Sequence, residues 1–223
     1  MESIRPHSHR GFTLIELLVV FAIIMVITAI VFTSQGSFNK TLILTNTAYD
    51  VALTFRFAET YGIGSRAFGT VANTGYGLHF QSSTPSSFTL FVDTYPPVGI
   101  GSACHPSPTY DPTGPSAQSG DCVYEASQGE KVQDYALGNR ITIGNFCARS
   151  NNIWSCSSNG GISSLDVVFS RPNPTPFMSE NGSYSALFPV TAACIALTSP
   201  QGGWKYVSIA LSGQISINAT SCP

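Results

Sequence analysis

Arg10-Gly11-Phe12-Thr13-Leu14-Ile15-Glu16-Leu17-Leu18-Val19-Val20 decides how this chain is read. The twenty-one residues from Phe12 to Phe32 hold one charge, Glu16, and neither Gly nor Pro. Wound as an α-helix at about 1.5 Å per residue they reach roughly 31 Å, which matches a hydrocarbon core of about 30 Å. Arg5 and Arg10 stand ahead of the run, with His7 and His9, and behind it Lys40 is the first charge. A positive flank belongs in the cytoplasm, so a single-pass protein with its C-terminal bulk exported is expected. The apolar run is too long for an ordinary secretory signal, and no convincing small-x-small cleavage site follows it. The best processing point lies in front of it, at Gly11-Phe12.

Glu16 is the expensive residue. An acidic group at the bilayer centre costs on the order of 2.5–3.5 kcal/mol, and less near an edge. The simplest reading is a carboxylate that reaches the headgroups. The functional reading is a carboxylate that meets a cation on assembly: a cut after Gly11 would create an amine on Phe12, and a neighbour's amine could pair with Glu16 and set the stagger between helices.

Gly11-Phe12-Thr13-Leu14-Ile15-Glu16-Leu17-Leu18-Val19-Val20 closely resembles the processing motif of type IV pilins and pseudopilins. The resemblance implies cleavage by a prepilin peptidase between Gly11 and Phe12, N-methylation of Phe12, and a docking role for Glu16 in a helical filament. It also implies the partners: other pilin or pseudopilin subunits, an inner-membrane assembly platform and membrane lipid. Many major pilins place a proline shortly after the midpoint of the apolar run; Thr33 stands near that place here.

The rest of the chain points to an α+β fold: a long N-terminal helix against a mostly antiparallel sheet. Residues 1–11 are read as leader, 12–33 as the membrane and assembly half of the helix, 34–62 as its amphipathic half, and 63–223 as an exported β-rich domain. In the second helical half Leu44, Ala48, Val51, Ala52, Phe55 and Ala58 recur at spacings of three and four, which makes one apolar stripe. Thr45, Asn46, Asp50 and Glu59 mark the opposite face, and Gly62 and Gly64 are expected to end the helix. Beyond Gly64, strand-like runs appear at Tyr76–Phe80, Ser87–Val92, Ile141–Phe146, Leu165–Phe169, Ala193–Leu197, Lys205–Leu211 and Gln214–Ile217. The segments 75–80, 88–93, 167–172 and 207–215 resemble, more loosely, the strands of the H-type (GspH/FimT-like) minor pseudopilin domain.

From Tyr95 to Asn139 the sequence is rich in Pro, Gly and Ser and is read as a long surface loop. The six cysteines all follow the apolar run, and their even number favours disulfides on an exported domain. Cys104 with Cys122, Cys147 with Cys156 and Cys194 with Cys222 are the nearest-neighbour candidates, one connectivity among several.

Chemistry is mostly absent. No Gly-x-Ser-x-Gly, His-Glu-x-x-His or Walker loop occurs, and Gly62-Ile63-Gly64-Ser65 is only a fragment of a nucleotide loop. No enzyme, cofactor or metal is expected. His79 reads as a hydrogen-bonded strand histidine, and His105 beside Cys104 lacks a Cys-x-x-Cys partner motif for zinc. Asp111, Asp121, Glu125, Glu130 and Asp134 are the acidic candidates for calcium, but their spacing fits no EF-hand, so a solvated loop is expected. A net charge of −2 and the scattered cations Arg140, Arg149, Arg171 and Lys205 argue against nucleic acid as a partner. The expected function is structural: a minor pilin or pseudopilin subunit of a type IV pilus or type II secretion pseudopilus. The alternatives are a DNA-uptake minor pilin and a major pilin.

Overall fold

The computed structural model describes residues 12–64, 66–71, 74–99, 118–171, 174–219 and 221–222, with side chains of 33–40, 218 and 219 left aside. Among the described residues, one α-helix and ten strands form an α+β fold. Helix α1 is Leu14–Ile63. The strands are β1 Gly75–Gln81, β2 Ser87–Asp93, β3 Lys131–Ala136, β4 Thr142–Ser150, β5 Ile153–Cys156, β6 Ser164–Phe169, β7 Phe177–Glu180, β8 Val190–Thr198, β9 Trp204–Ala210 and β10 Ile215–Ala219. The chain divides into two compact units, residues 1–41 and 42–223.

The larger unit holds two antiparallel five-stranded sheets, in keeping with the mostly antiparallel β-rich domain expected. The first runs β3-β2-β1-β6-β7 and the second β10-β9-β8-β4-β5. The core fills from the alternation of each strand. Tyr76, Leu78 and Phe80 of β1 join Leu165, Val167 and Phe169 of β6 and the helical stripe Leu44, Ala48, Val51, Ala52, Phe55 and Ala58. From the second sheet come Phe146, Ile195, Leu197, Val207 and Ile209.

The other face of the first sheet is buried as well. Phe91, Val168 and Cys122 form a second cluster there, with Tyr124, Phe177 and Tyr184 packed on it. A Cβ at Gly77 would stand 2.6 Å from the Val167 carbonyl oxygen and 2.9 Å from the Phe91 ring, so β1 needs glycine where this second layer closes down.

One expectation is corrected. Residues 95–139 are not a strandless loop: Lys131–Ala136 forms β3, paired with β2 from Ser87↔Ala136 to Phe91↔Lys131. Its residues are exposed but for Tyr135, so its composition reads as polar loop although its backbone extends the sheet. The short strands β5 and β7 also escaped the reading, each a four-residue edge strand. Asn151 and Asn152 both take positive φ, 54° and 63°, in the turn that joins β4 to β5.

Cys147 is bonded to Cys156 and Cys194 to Cys222, with Cα separations of 4.1 and 5.7 Å. The first bridge links directly paired residues of β4 and β5; the second ties β8 to the carboxy-terminal segment. Cys104 lies outside the described residues, and Cys122 is disulfide-bonded.

Candidate functional site: the apolar head of the helix

Gly11 lies outside the described residues, so the geometry begins at Phe12, which is 81% exposed. Thr13 directly precedes the first helical residue, Leu14. Its hydroxyl oxygen accepts the backbone N–H of Glu16 at 3.3 Å, and its carbonyl accepts the N–H of Leu17 at 3.2 Å. Thr13 is therefore the helix N-cap and Glu16 sits at the third helical position, the Thr-x-x-Glu order of a capping box. The carboxylate also stands at the positive end of the helix dipole, where negative charge is favoured. Sequence reasoning weighed Glu16 only against lipid and neighbours; the spacing from Thr13 was the signal it missed.

From Leu14 to Phe32 the helix has a mean hydropathy of 3.0 and no part of it is buried within the molecule. Leu14 is 83% exposed and Met25 71%. Thr28 turns its hydroxyl inward and donates to the Ile24 carbonyl at 2.7 Å, which satisfies the one hydroxyl in mid-span without water. The segment is long and apolar enough to cross a membrane, and its side chains present a continuous exposed apolar surface.

Residues 6–32 match the family model of the prokaryotic N-terminal methylation motif. The match supports a type IV pilin-like subunit, processed as a prepilin. No curated protein and no solved structure matches the chain. The pilin motif thus rests on the apolar head of the chain, and it indicates a structural protein. The motif and the one N-terminal apolar helix among the described residues fit a membrane-anchored pilin, and the motif implies processing by a prepilin peptidase and assembly with other pilins.

A second group of functional candidates sits in the larger unit. Of the candidates singled out, the acidic Asp111 and the histidine His105 lie outside the described residues. Asp121, Glu125 and Glu130 come together with Asp93, whereas Asp134 stands apart on β3, bonded to Lys131 at 3.0 Å and Thr89 at 2.7 Å. The grouped acids are not a solvated loop, because Asp93 and Glu130 are buried at 1% and 0% exposure. Burial places them as backbone latches. Asp93 accepts the N–H groups of Asp121 and Cys122 at 3.1 and 2.9 Å. Glu130 accepts those of Thr94, Tyr95 and Glu125, each at 2.8 Å.

Beside this group His79 of β1 pairs through Nδ1 with Asp166 of β6 at 2.6 Å, under the Tyr124 ring. Burial is the first cause that pushes the Asp93 carboxyl well up, with the Glu130 charge adding to it. Glu125 is pushed up to about 8, by burial first and then by Asp121 and Glu130. Among the described residues no three His, Cys, Asp or Glu side chains are placed to hold a metal ion. The group stitches the segment after β2 to the sheet.

Proposed function

We propose that this chain is a minor pilin or pseudopilin of the H type, which works by assembly and not by catalysis. The observation that carries the reading is the exposed apolar helix headed by Gly11-Phe12 and Glu16. The precursor sits in the cytoplasmic membrane with residues 1–11 inside and the β-rich unit outside. A prepilin peptidase cuts between Gly11 and Phe12, Phe12 is N-methylated, and an inner-membrane platform moves the helix from lipid into a bundle of pilin helices. Contacts with neighbouring subunits then replace contacts with lipid, and Glu16 meets the Phe12 amine of a neighbour.

The helix within the larger unit supports this reading from a second side. Besides the buried stripe it carries an exposed one, Leu42, Tyr49, Leu53 and Phe57. Leu53 and Phe57 line a groove of about 270 Å³ with Phe88, Tyr135 and Leu137. A helix that is apolar on both faces is built for partners on both.

Mass spectrometry of the native amino terminus tests the proposal. A mature chain that starts at methylated Phe12 is expected. A chain that still starts at Met1, or that is cut behind Phe32, would overturn it.

A further inference from the structure

Both tryptophans of the chain lie on one surface, the outer face of the second sheet. On β8 and β9 the buried residues Ile195, Leu197, Val207 and Ile209 face the core, so the alternate positions point away from it. These outward positions include Ala196, Tyr206 and Trp204. Trp154 of β5 pairs in register with Arg149 of β4, on the same side as Cys147, Cys156 and Cys194.

Trp204 is seated by a glycine. A Cβ at Gly144 of β4 would stand 2.6 and 2.8 Å from the six-membered ring of Trp204, so any other residue there would lift the indole. Glycine in a strand interior weakens the strand and marks a close approach. Here the approach is by a ring that remains 50% exposed. The Tyr206 ring lies two residues on, within 12° of parallel and 6.4 Å from the indole centroid. Towards the opposite end of the face, a mostly apolar groove of about 330 Å³ runs beside Trp154 over Ala192, Cys194, Ile209 and Ala210, with Ser208, Gln214 and Ser216 along its edge.

The chemistry of this face selects its ligand. Among the described residues its outward strand positions carry aromatic rings, small residues and hydroxyls or amides, with no Leu, Ile, Val, Phe or Met at those positions. Arg149 is the one charged side chain among them, so a phosphate chain finds no clustered cations. A pyranose chain fits what remains. Its axial C–H bonds carry partial positive charge and meet the negative face of an aromatic ring, while its hydroxyls exchange hydrogen bonds with serine and glutamine side chains.

We infer that the outer face of the second sheet binds a neutral pyranose chain, with Trp204 and Tyr206 as the stacking platform and the groove beside Trp154 as a second contact. This surface does not depend on the pilin-like reading. The test uses the full chain in a detergent without a sugar headgroup and follows tryptophan fluorescence and heat on titration with chitohexaose and with cellohexaose. Binding is expected for at least one. Chitohexaose alone would point to an N-acetylated strand such as that of peptidoglycan, and cellohexaose alone to an unsubstituted glucan. Trp204→Ala is expected to weaken binding about tenfold or more, and Trp204→Phe to restore part of it, with the circular dichroism of both unchanged. No binding of either sugar up to about 1 mM, or binding that Trp204→Ala leaves intact, would overturn the inference. So would displacement of the sugar by an oligothymidylate.

Discussion

Two roles are proposed for Glu16, and two substitutions separate them. As the third helical residue behind Thr13 it can support its own helix start, and as a lone carboxylate on an apolar rod it can meet a neighbour's amine. Glutamine fits the capping-box position as well as glutamate but carries no charge. Glu16→Gln is therefore expected to leave the helix start and leader removal intact and to lower the amount of subunit recovered in sheared filaments. Thr13→Ala removes the observed cap, at about 1 kcal/mol of helix stability, and is expected to spare incorporation. An immunoblot of cell and filament fractions reads both; incorporation lost in Thr13→Ala and kept in Glu16→Gln would assign Glu16 to the cap alone. The exposed rod and its charge were legible in the sequence because composition decides them. The cap was legible too, as Thr-x-x-Glu, but the reading stopped at the charge.

At the scale of elements, the helix shows what periodicity can and cannot reveal. The inner stripe from Leu44 to Ala58 stood out because its partners are spaced at three and four, and the structure buries it. The outer stripe was hidden, since Asp50, Arg56 and Glu59 interrupt it and its exposed members look like noise. Leu53→Lys is expected to shift thermal stability little, by about 0.5 kcal/mol or less as for other exposed sites, and to reduce cross-linking to neighbouring subunits. Gly62 carries a different lesson. It was read as a helix terminator, and the helix does end at Ile63, but a Cβ at Gly62 would also collide with the Phe169 carbonyl of β6. Gly62→Ala would therefore cost about 1–3 kcal/mol by overpacking, whereas helix propensity alone predicts a gain. The sign of the change in thermal midpoint decides between them. Short edge strands such as β5 and β7 stayed illegible for a simpler reason: four residues hold too few alternations to count.

Across the whole molecule, long-range contacts gather acids that lie far apart in sequence, and a pH response is expected from their burial. The stretch after β2 looked like solvated loop because its acids are far apart in sequence, 93, 121, 125, 130 and 166. Only the pairing of β1 with β2 and β6 brings them to one face, and no local pattern encodes that. The consequence is a buried group of acids whose affinity for protons rises on folding. Asp93, Asp121, Glu125 and Asp166 are all pushed up by burial, so between their ordinary range and their folded values the native chain holds protons that the unfolded chain has released. Stability then falls as pH rises through that window. For Glu125 the window runs from its ordinary value of 4.5 to about 8. Asp134, held below its ordinary range by Thr89 and Lys131, works in the opposite direction but only below that range, and it lies on the surface where solvent screens it. The full chain in detergent is thus expected to melt at a higher temperature at pH 5.5 than at pH 8. Each kcal/mol lost would lower the midpoint by about 2–4 °C. Glu125→Gln keeps the shape of the side chain in its neutral form and removes the titration, so it is expected to raise the midpoint at pH 8 and to narrow the gap. Equal midpoints for the wild-type chain at the two pH values, or a gap that Glu125→Gln leaves unchanged, would show that Glu125 does not govern the response.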